Sequence, residues 1–308
     1  IILARVAIIG QQDFGKAVIE AMIAEGHTVV GVFCKQEKPS ERPDALREAA
    51  QKLGITVFQL PNLKDDTARQ AMQSLNADIC VMAYVLQFVP QWLTHIPKQG
   101  TIQYHPSLLP KYRGPSSINW PIAMGEKETG LTIFRPTDGL DEGPIVLQKT
   151  FPIGADATLG EVYFDGLFPL GVKALIEATD MVLARKHTEI TQDESLATYQ
   201  GWFREAESSV NWSSHIDQVY NLIRACNPAP GAWTLLGQEK VTLFDCKKHV
   251  SQRFEQVMGK PGTILRLSEH SFGMNAQGGH IEVLRLRPAG GAKMTAAEFM
   301  TAKPALFL

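Results

Sequence analysis

Short β-branched runs recur through the first hundred residues: RVAIIG (5–10), TVVGVF (28–33), TVF (56–58), ADICVMAY (77–84) and GTIQYH (100–105). Between them, 14–25, 43–53 and 65–75 carry helical spacing; in PDALREAAQKLG the apolar positions are 45, 46, 49, 50 and 53. Near-continuous apolar strands alternating with helices predict a doubly wound, mostly parallel α/β sheet. Such sheets bind ligands outside the carboxyl ends of their strands, and His105 falls at one of those ends.

Beyond it, a helical segment is expected at 115–124, a hairpin-like pair at 130–135 and 144–150, and one long helix over 158–184. ARKHTEITQDESLATYQG (184–201) is polar and aperiodic, as a linker is. A second unit opens with the helical HIDQVYNLIRAC (215–226), and AWTLLG, EKVTLFDCK, GTILRLS, SFGMNA and HIEVLRLRP follow as short strands. They suggest a small OB-like β-barrel. The expected organisation is a domain over 1–188, a linker over 189–204 and a C-terminal domain over 205–308.

A formal charge of −2 gives no overall basic field for nucleic acid, and no strong local patch is visible. Cys34, Cys80, Cys226 and Cys246 have no CxxC or Cys/His metal spacing, which fits packed thiols in a reducing, cytoplasmic setting and no metal site. The opening IILARVAIIG is interrupted by Arg5, is too short to span a bilayer and lacks the marks of a signal peptide. It is expected to be a first strand behind a trimmed or engineered start, with no membrane partner.

Three stretches could carry chemistry. GQQDFGKA (10–17) has the glycines of a phosphate loop, but Ala17 stands where Ser or Thr must hold magnesium. A tight strand-to-helix turn without a nucleotide is expected there. In GTIQYHPSLLPKYRGPSSINW (100–120), Pro106 and Pro110 impose an extended, rigid loop, crowded by Ser107, Lys111, Arg113, Ser116 and Ser117. A lone histidine in such a loop is more often structural than chemical. PTDGLDEGP (136–144) sets Asp138, Asp141 and Glu142 among glycines, which by itself is an ordinary acidic turn and lacks the alternation of a calcium loop. Brought together, however, His105 and Asp141 would make a proton-transfer pair, the carboxylate orienting the imidazole.

HPSLLPKYRG followed by GLDEG resembles the signature of the folate-dependent formyltransferase family. The family places an Asn, a His two residues on and an Asp around the formyl group of 10-formyltetrahydrofolate. The resemblance puts His105 and Asp141 on that His and Asp, and Gln103 where the Asn would stand, a departure. CNPAPGAWT (226–234) and LRLRPAGGAKMTAAEF (284–299) extend the likeness into the second domain, implying a Rossmann-like domain followed by the family's barrel.

Within the family, the segments YHPSLLPKYRGPSSINW, LFPLGVKALIEA, VNWSSHIDQVYNLIR and PAPGAWT are most similar to the hydrolase domain of 10-formyltetrahydrofolate dehydrogenase, which also lacks the Asn. The tRNA-acting branch has a longer glycine- and lysine-rich loop after the second strand. Here CKQEKPSERPDALREAA balances Lys35, Lys38, Arg42 and Arg47 against Glu37, Glu41, Asp44 and Glu48, so tRNA is the less favoured partner.

By the resemblance, a nucleophile attacks the donor's formyl group, Asp141 positions or deprotonates it, and His105 donates to the oxyanion and the leaving nitrogen. Gln103 would supply a further donor. The pterin is expected beneath AYVLQFVP (83–90), read by the backbone around Leu86, Gln87, Phe88 and Val89, with Ile102, Ser107 and Leu108 beside it and Asp138, Gly139 and Leu140 opposite. Three readings stay open: hydrolysis of 10-formyltetrahydrofolate or formyl transfer to a small amine; methionyl-tRNA formylation; and a folate-binding module with weak catalysis. No dehydrogenase domain is seen in these 308 residues, so oxidation of the formyl carbon would call for a separate dehydrogenase partner.

Overall fold

The computed structural model describes residues 1–257 and 259–308. The chain divides into two compact units, one of residues 1–114, 130–151 and 166–199, the other of residues 115–129, 152–165 and 200–308.

Among the described residues, the first unit carries a seven-stranded sheet in the order β3-β2-β1-β4-β5-β6-β7. β1 (Arg5–Gly10), β2 (Thr28–Phe33), β3 (Val57–Phe58), β4 (Ile79–Ala83) and β5 (Thr101–His105) pair in parallel, so the sheet is the mostly parallel α/β type expected. β6 (Glu128–Phe134) then turns antiparallel to β5, and β7 (Ile145–Pro152) forms the edge. The apolar runs are continuous because both faces are covered. Val6, Ile8, Ile79, Val81, Ile102 and Tyr104 join one core with residues of α1 (Gln12–Ala24) and α7 (Phe168–Leu183). Ala7, Ile9, Cys80 and Met82 join another with residues of α3 (Asp66–Leu75) and α4 (Gln91–Thr94).

The order reverses direction between β1 and β4, the switch point at which ligand crevices open in such sheets. β1 and β4 approach closely there: a Cβ on Gly10 would stand 2.2 Å from the Ala83 carbonyl oxygen. The turn after Gly10 has its own anion. Asp44, the buried N-cap of α2 (Ala45–Lys52), accepts the backbone N–H of Gln12 as well as those of Leu46 and Arg47.

The helix expected over 158–184 is interrupted: α6 (Leu159–Val162) runs into a π turn (Tyr163–Leu167) before α7 begins. Gly166 in that turn packs against the Phe151 ring, which a Cβ would approach to 2.3 Å. The helix expected at 115–124 is the short α5 (Asn119–Ala123).

Among the described residues of the second unit, α8 (Ile216–Ala225) packs with two four-stranded antiparallel sheets, β10-β13-β12-β11 and β15-β14-β9-β8. AWTLLG, GTILRLS and SFGMNA hold β8 (Ala232–Leu236), β11 (Ile264–Arg266) and β12 (Phe272–Ala276). The other two expected strands are each broken and shared between the sheets. EKVTLFDCK holds β9 (Glu239–Leu243) and the first two residues of β10 (Cys246–Val250); HIEVLRLRP covers most of β13 (Gly279–Val283) and all of β14 (Arg285–Pro288). The two breaks hold each other, because Phe244 N donates to Arg285 O and Leu284 N to Asp245 O. β15 (Met294–Thr295) leads into α9 (Ala296–Ala302), where Thr295 accepts the Glu298 N–H at 3.2 Å. Among the described residues, no helix is long and apolar enough to cross a membrane.

Candidate active site at the carboxyl end of the fifth strand

Side chains alternate along β5, so Gln103 and His105 share one face while Ile102 and Tyr104 share the other. Ile102 is fully enclosed in the core and has no surface to offer a ligand. Tyr104 stacks on Phe14 and donates its hydroxyl to Leu167 O at 3.0 Å.

His105 is 7% exposed, and its Nε2 lies 2.8 Å from the carbonyl oxygen of Tyr112. A carbonyl can only accept, so Nε2 carries a hydrogen and Nδ1 is the nitrogen left to gain or lose a proton. Nδ1 faces Asp141 Oδ2 at 3.6 Å, within ion-pair range but too far for a direct hydrogen bond. The loop presenting Tyr112 is closed by Ser107, whose buried hydroxyl donates to Lys111 O at 2.7 Å. Thr132 of β6 anchors the same loop, donating to Ser107 O and accepting from Leu109 N. Ser107 is thus committed to loop shape, and Leu108 packs against Gly130.

Asp141 sits in the left-handed region at φ 51°, which aspartate tolerates better than most residues. Its Oδ2 accepts the Gly114 N–H at 2.8 Å, fastening the acidic turn to the end of the histidine loop. Gly143 gives the turn its compactness: a Cβ there would lie 1.7 Å from Arg135 O. The turn is held from outside by Gln192, a buried residue inside the polar stretch expected to be a linker. Its Nε2 donates to Asp141 O at 2.9 Å and Gly143 O at 2.7 Å, while its Oε1 accepts from Arg113 Nη2 at 2.9 Å. Arg113 continues outward to Glu194. Neither Gln192 nor the Tyr112 carbonyl carried a signal in the sequence: one is a glutamine in an aperiodic segment, the other a backbone group.

Gln103 is half-buried, and among the described residues its side-chain amide has no hydrogen-bond partner. Of the residues expected around a pterin, Leu86, Phe88 and Leu140 are 48%, 51% and 53% exposed, Gln87 is half-buried and Gly139 is exposed, whereas Val89 belongs to the core. The acidic turn reaches the start of α4, just after the loop 83–90, where Asp138 Oδ1 accepts the Gln91 N–H at 2.7 Å. Among the described residues, no group of three or more His, Cys, Asp or Glu side chains is placed to hold a metal ion.

Known proteins resemble this chain over most of its length. The mitochondrial 10-formyltetrahydrofolate dehydrogenase of Mus musculus is 39% identical over 78% of this chain, which spans only 26% of that protein's length. The methionyl-tRNA formyltransferase of Syntrophus aciditrophicus (strain SB) is 29% identical over 97% of the chain and 96% of its own length. A solved N-formyltransferase from Helicobacter canadensis, in complex with folinic acid and dTDP-3-aminofucose, has the same fold, with a TM-score of 0.71 and 17% identity over 95% of this chain and all of that one. The family model described as formyl transferase matches residues 4–179, and that of the formyl transferase C-terminal domain matches residues 203–304. Carrying both parts in order, the chain belongs to the formyl transferase family.

Proposed function

We propose that this chain takes the formyl group of 10-formyltetrahydrofolate and passes it to water or to a small amine. The observation that carries the proposal is the His105–Asp141 pair, with one imidazole nitrogen fixed by Tyr112 and the other facing the carboxylate. The exposed apolar residues Leu86, Phe88 and Leu140 supply a surface for a flat heteroaromatic ring. Relatives whose names include 10-formyltetrahydrofolate and methionyl-tRNA, and a neighbour bound to folinic acid, support a folate donor. Residues 1–188 would be the catalytic, folate-binding domain, 189–204 the linker and 205–308 an OB-like domain, in a cytoplasmic protein.

The formyl carbon would sit beside the His105–Asp141 pair, within reach of both side chains. The nucleophile attacks it, a C–O or C–N bond forms, and the carbonyl electrons move onto oxygen. Asp141 takes the nucleophile's proton. Protonated His105 donates from Nδ1, first to the oxyanion and then to the departing folate nitrogen as the C–N bond breaks. At 3.6 Å His105 Nδ1 and Asp141 Oδ2 make no direct hydrogen bond, which leaves both to engage a reacting group beside them. Gln103, on the same strand face with a free amide, adds a donor to the oxyanion. Water yields formate and tetrahydrofolate; an amine yields a formamide. The chemistry needs neither a metal nor a nucleotide.

Incubation with 10-formyltetrahydrofolate alone, with small amines and with initiator methionyl-tRNA tests the proposal. Tetrahydrofolate released without tRNA supports it. Turnover that appears only with tRNA moves the chain to the methionyl-tRNA branch, and binding without turnover makes it a folate-binding module.

A further inference from the structure

We infer that Gln192 is a positioning residue for Asp141. The inference rests on the function proposed above and extends it to a side chain 51 residues away from the carboxylate. The hydrogen-bond chemistry fixes which way the amide faces. The Arg113 guanidinium can only donate, so it takes Oε1; the Asp141 and Gly143 carbonyls can only accept, so they take Nε2. One amide therefore clamps both sides of the turn that carries the catalytic carboxylate.

The clamp has something to resist. Asp141 adopts a left-handed backbone, which even aspartate holds at a modest cost. Its carboxylate must also satisfy Gly114 N at 2.8 Å while facing His105 Nδ1 at 3.6 Å. A small rotation of the turn would break the first contact and misdirect the second. Arg113 joins the two halves of this arrangement, because it follows Tyr112, whose carbonyl orients His105, and itself orients Gln192. A single segment, 192–198, thus fastens the acidic turn through Gln192 and the histidine loop through Thr198, whose Oγ1 accepts the Tyr112 N–H at 2.8 Å.

Gln192→Met keeps the volume and removes both donors; Gln192→Glu keeps the Arg113 contact and removes the donors. Each is assayed with 10-formyltetrahydrofolate beside Asp141→Asn and the Asp141→Asn/Gln192→Met double variant, with thermal melting to establish folding. The expected result is a kcat lower by on the order of 10²-fold in each folded Gln192 variant, with KM within about twofold. The double variant should be no slower than Asp141→Asn alone, because a residue acting through Asp141 has nothing left to position. Near-wild-type kcat in a Gln192 variant, independent losses that multiply in the double variant, or failure of both Gln192 variants to fold would each overturn the inference. Full turnover in Asp141→Asn removes the functional reading itself, a different outcome from a slow Asp141→Asn beside an unaffected Gln192→Met.

Discussion

His105 Nδ1 stands 3.6 Å from Asp141 Oδ2, while the opposite nitrogen of the same ring is tied at 2.8 Å to the Tyr112 carbonyl. The ring therefore has one committed edge and one working edge, and the working edge looks at a carboxylate that is itself held by the Gly114 N–H. Both side chains are buried, at 7% and 9% exposure, so neither interaction is diluted by bulk water.

Removing either partner should slow the chemistry far more than it weakens folate binding. His105→Ala and Asp141→Ala are each expected to lower kcat by about 10²- to 10⁴-fold, the span typical of positioned acid–base groups. Tetrahydrofolate affinity, measured by calorimetry, should stay within about threefold of wild type, since the proposed ring surface lies on other residues. A near-normal rate in either variant contradicts the assignment.

The parallel core strands were legible because burial on both faces leaves uninterrupted β-branched runs, as in RVAIIG and TVVGVF. His105 and Asp141 were legible through the motifs around them. Gln192 was not, because a buried glutamine in a polar segment looks like a solvated one until its partners are seen. Ile102 was misplaced by the same limit: alternation puts it on the opposite face from Gln103 and His105, in the core. The strand breaks at Phe244 and Leu284 carry no glycine or proline, so the exchange of sheets there rests on long-range hydrogen bonds that no local pattern reports. The start of α9 could have been read, since Thr295 and Glu298 have the spacing of a capping box before an apolar helix.

The two glycines flanking Asp141 should respond differently to alanine. At Gly143 the new Cβ meets a backbone carbonyl, Arg135 O, at 1.7 Å and the turn must move. At Gly139 it meets only the far end of the Glu142 side chain, which can swing away. Overpacking at Gly143 should cost roughly 1–3 kcal/mol and lower Tm by roughly 2–10 °C, whereas Gly139→Ala should stay within about 2 °C. Calorimetry on the two variants checks the contrast, and equal shifts would contradict it.

The cysteines are expected to be inert in the folded protein. Burial pushes the thiols of Cys34, Cys80 and Cys226 up to about 12 and raises that of Cys246 as well. The thiolate is the reactive form, so iodoacetamide at neutral pH should label none of the four until denaturant is added. Mass spectrometry of native and unfolded samples reads the result; rapid labelling of Cys34 or Cys80 in the native protein would contradict it.

The loop after β2 should add an acid-sensitive increment of stability. Glu37 accepts from Arg47 Nε at 2.5 Å and Nη2 at 2.9 Å, and these bonds hold its carboxyl down at about 2 against an ordinary 4.5. Because the folded pKa is the lower one, the stabilisation is complete above pH 4.5 and drains away as the pH falls toward 2. The difference in urea midpoint between wild type and Glu37→Gln should be constant near neutrality and narrow below about pH 4.5. A gap that widens on acidification has the wrong sign for this pairing.

On the proposed mechanism, Gln103 separates a site that merely binds from one that turns over. Its amide has no hydrogen-bond partner among the described residues and occupies the strand face of His105, so it contributes nothing evident to folding. Gln103→Ala should therefore leave Tm within about 2 °C. If the amide donates in the transition state, the same variant should lower kcat by about 10²- to 10³-fold while KM for 10-formyltetrahydrofolate barely moves. Gln103→Glu, which keeps the length and removes the donor, should be as slow as Gln103→Ala. An unchanged kcat in both would leave His105 as the donor to the oxyanion, and Gln103 with no part in turnover.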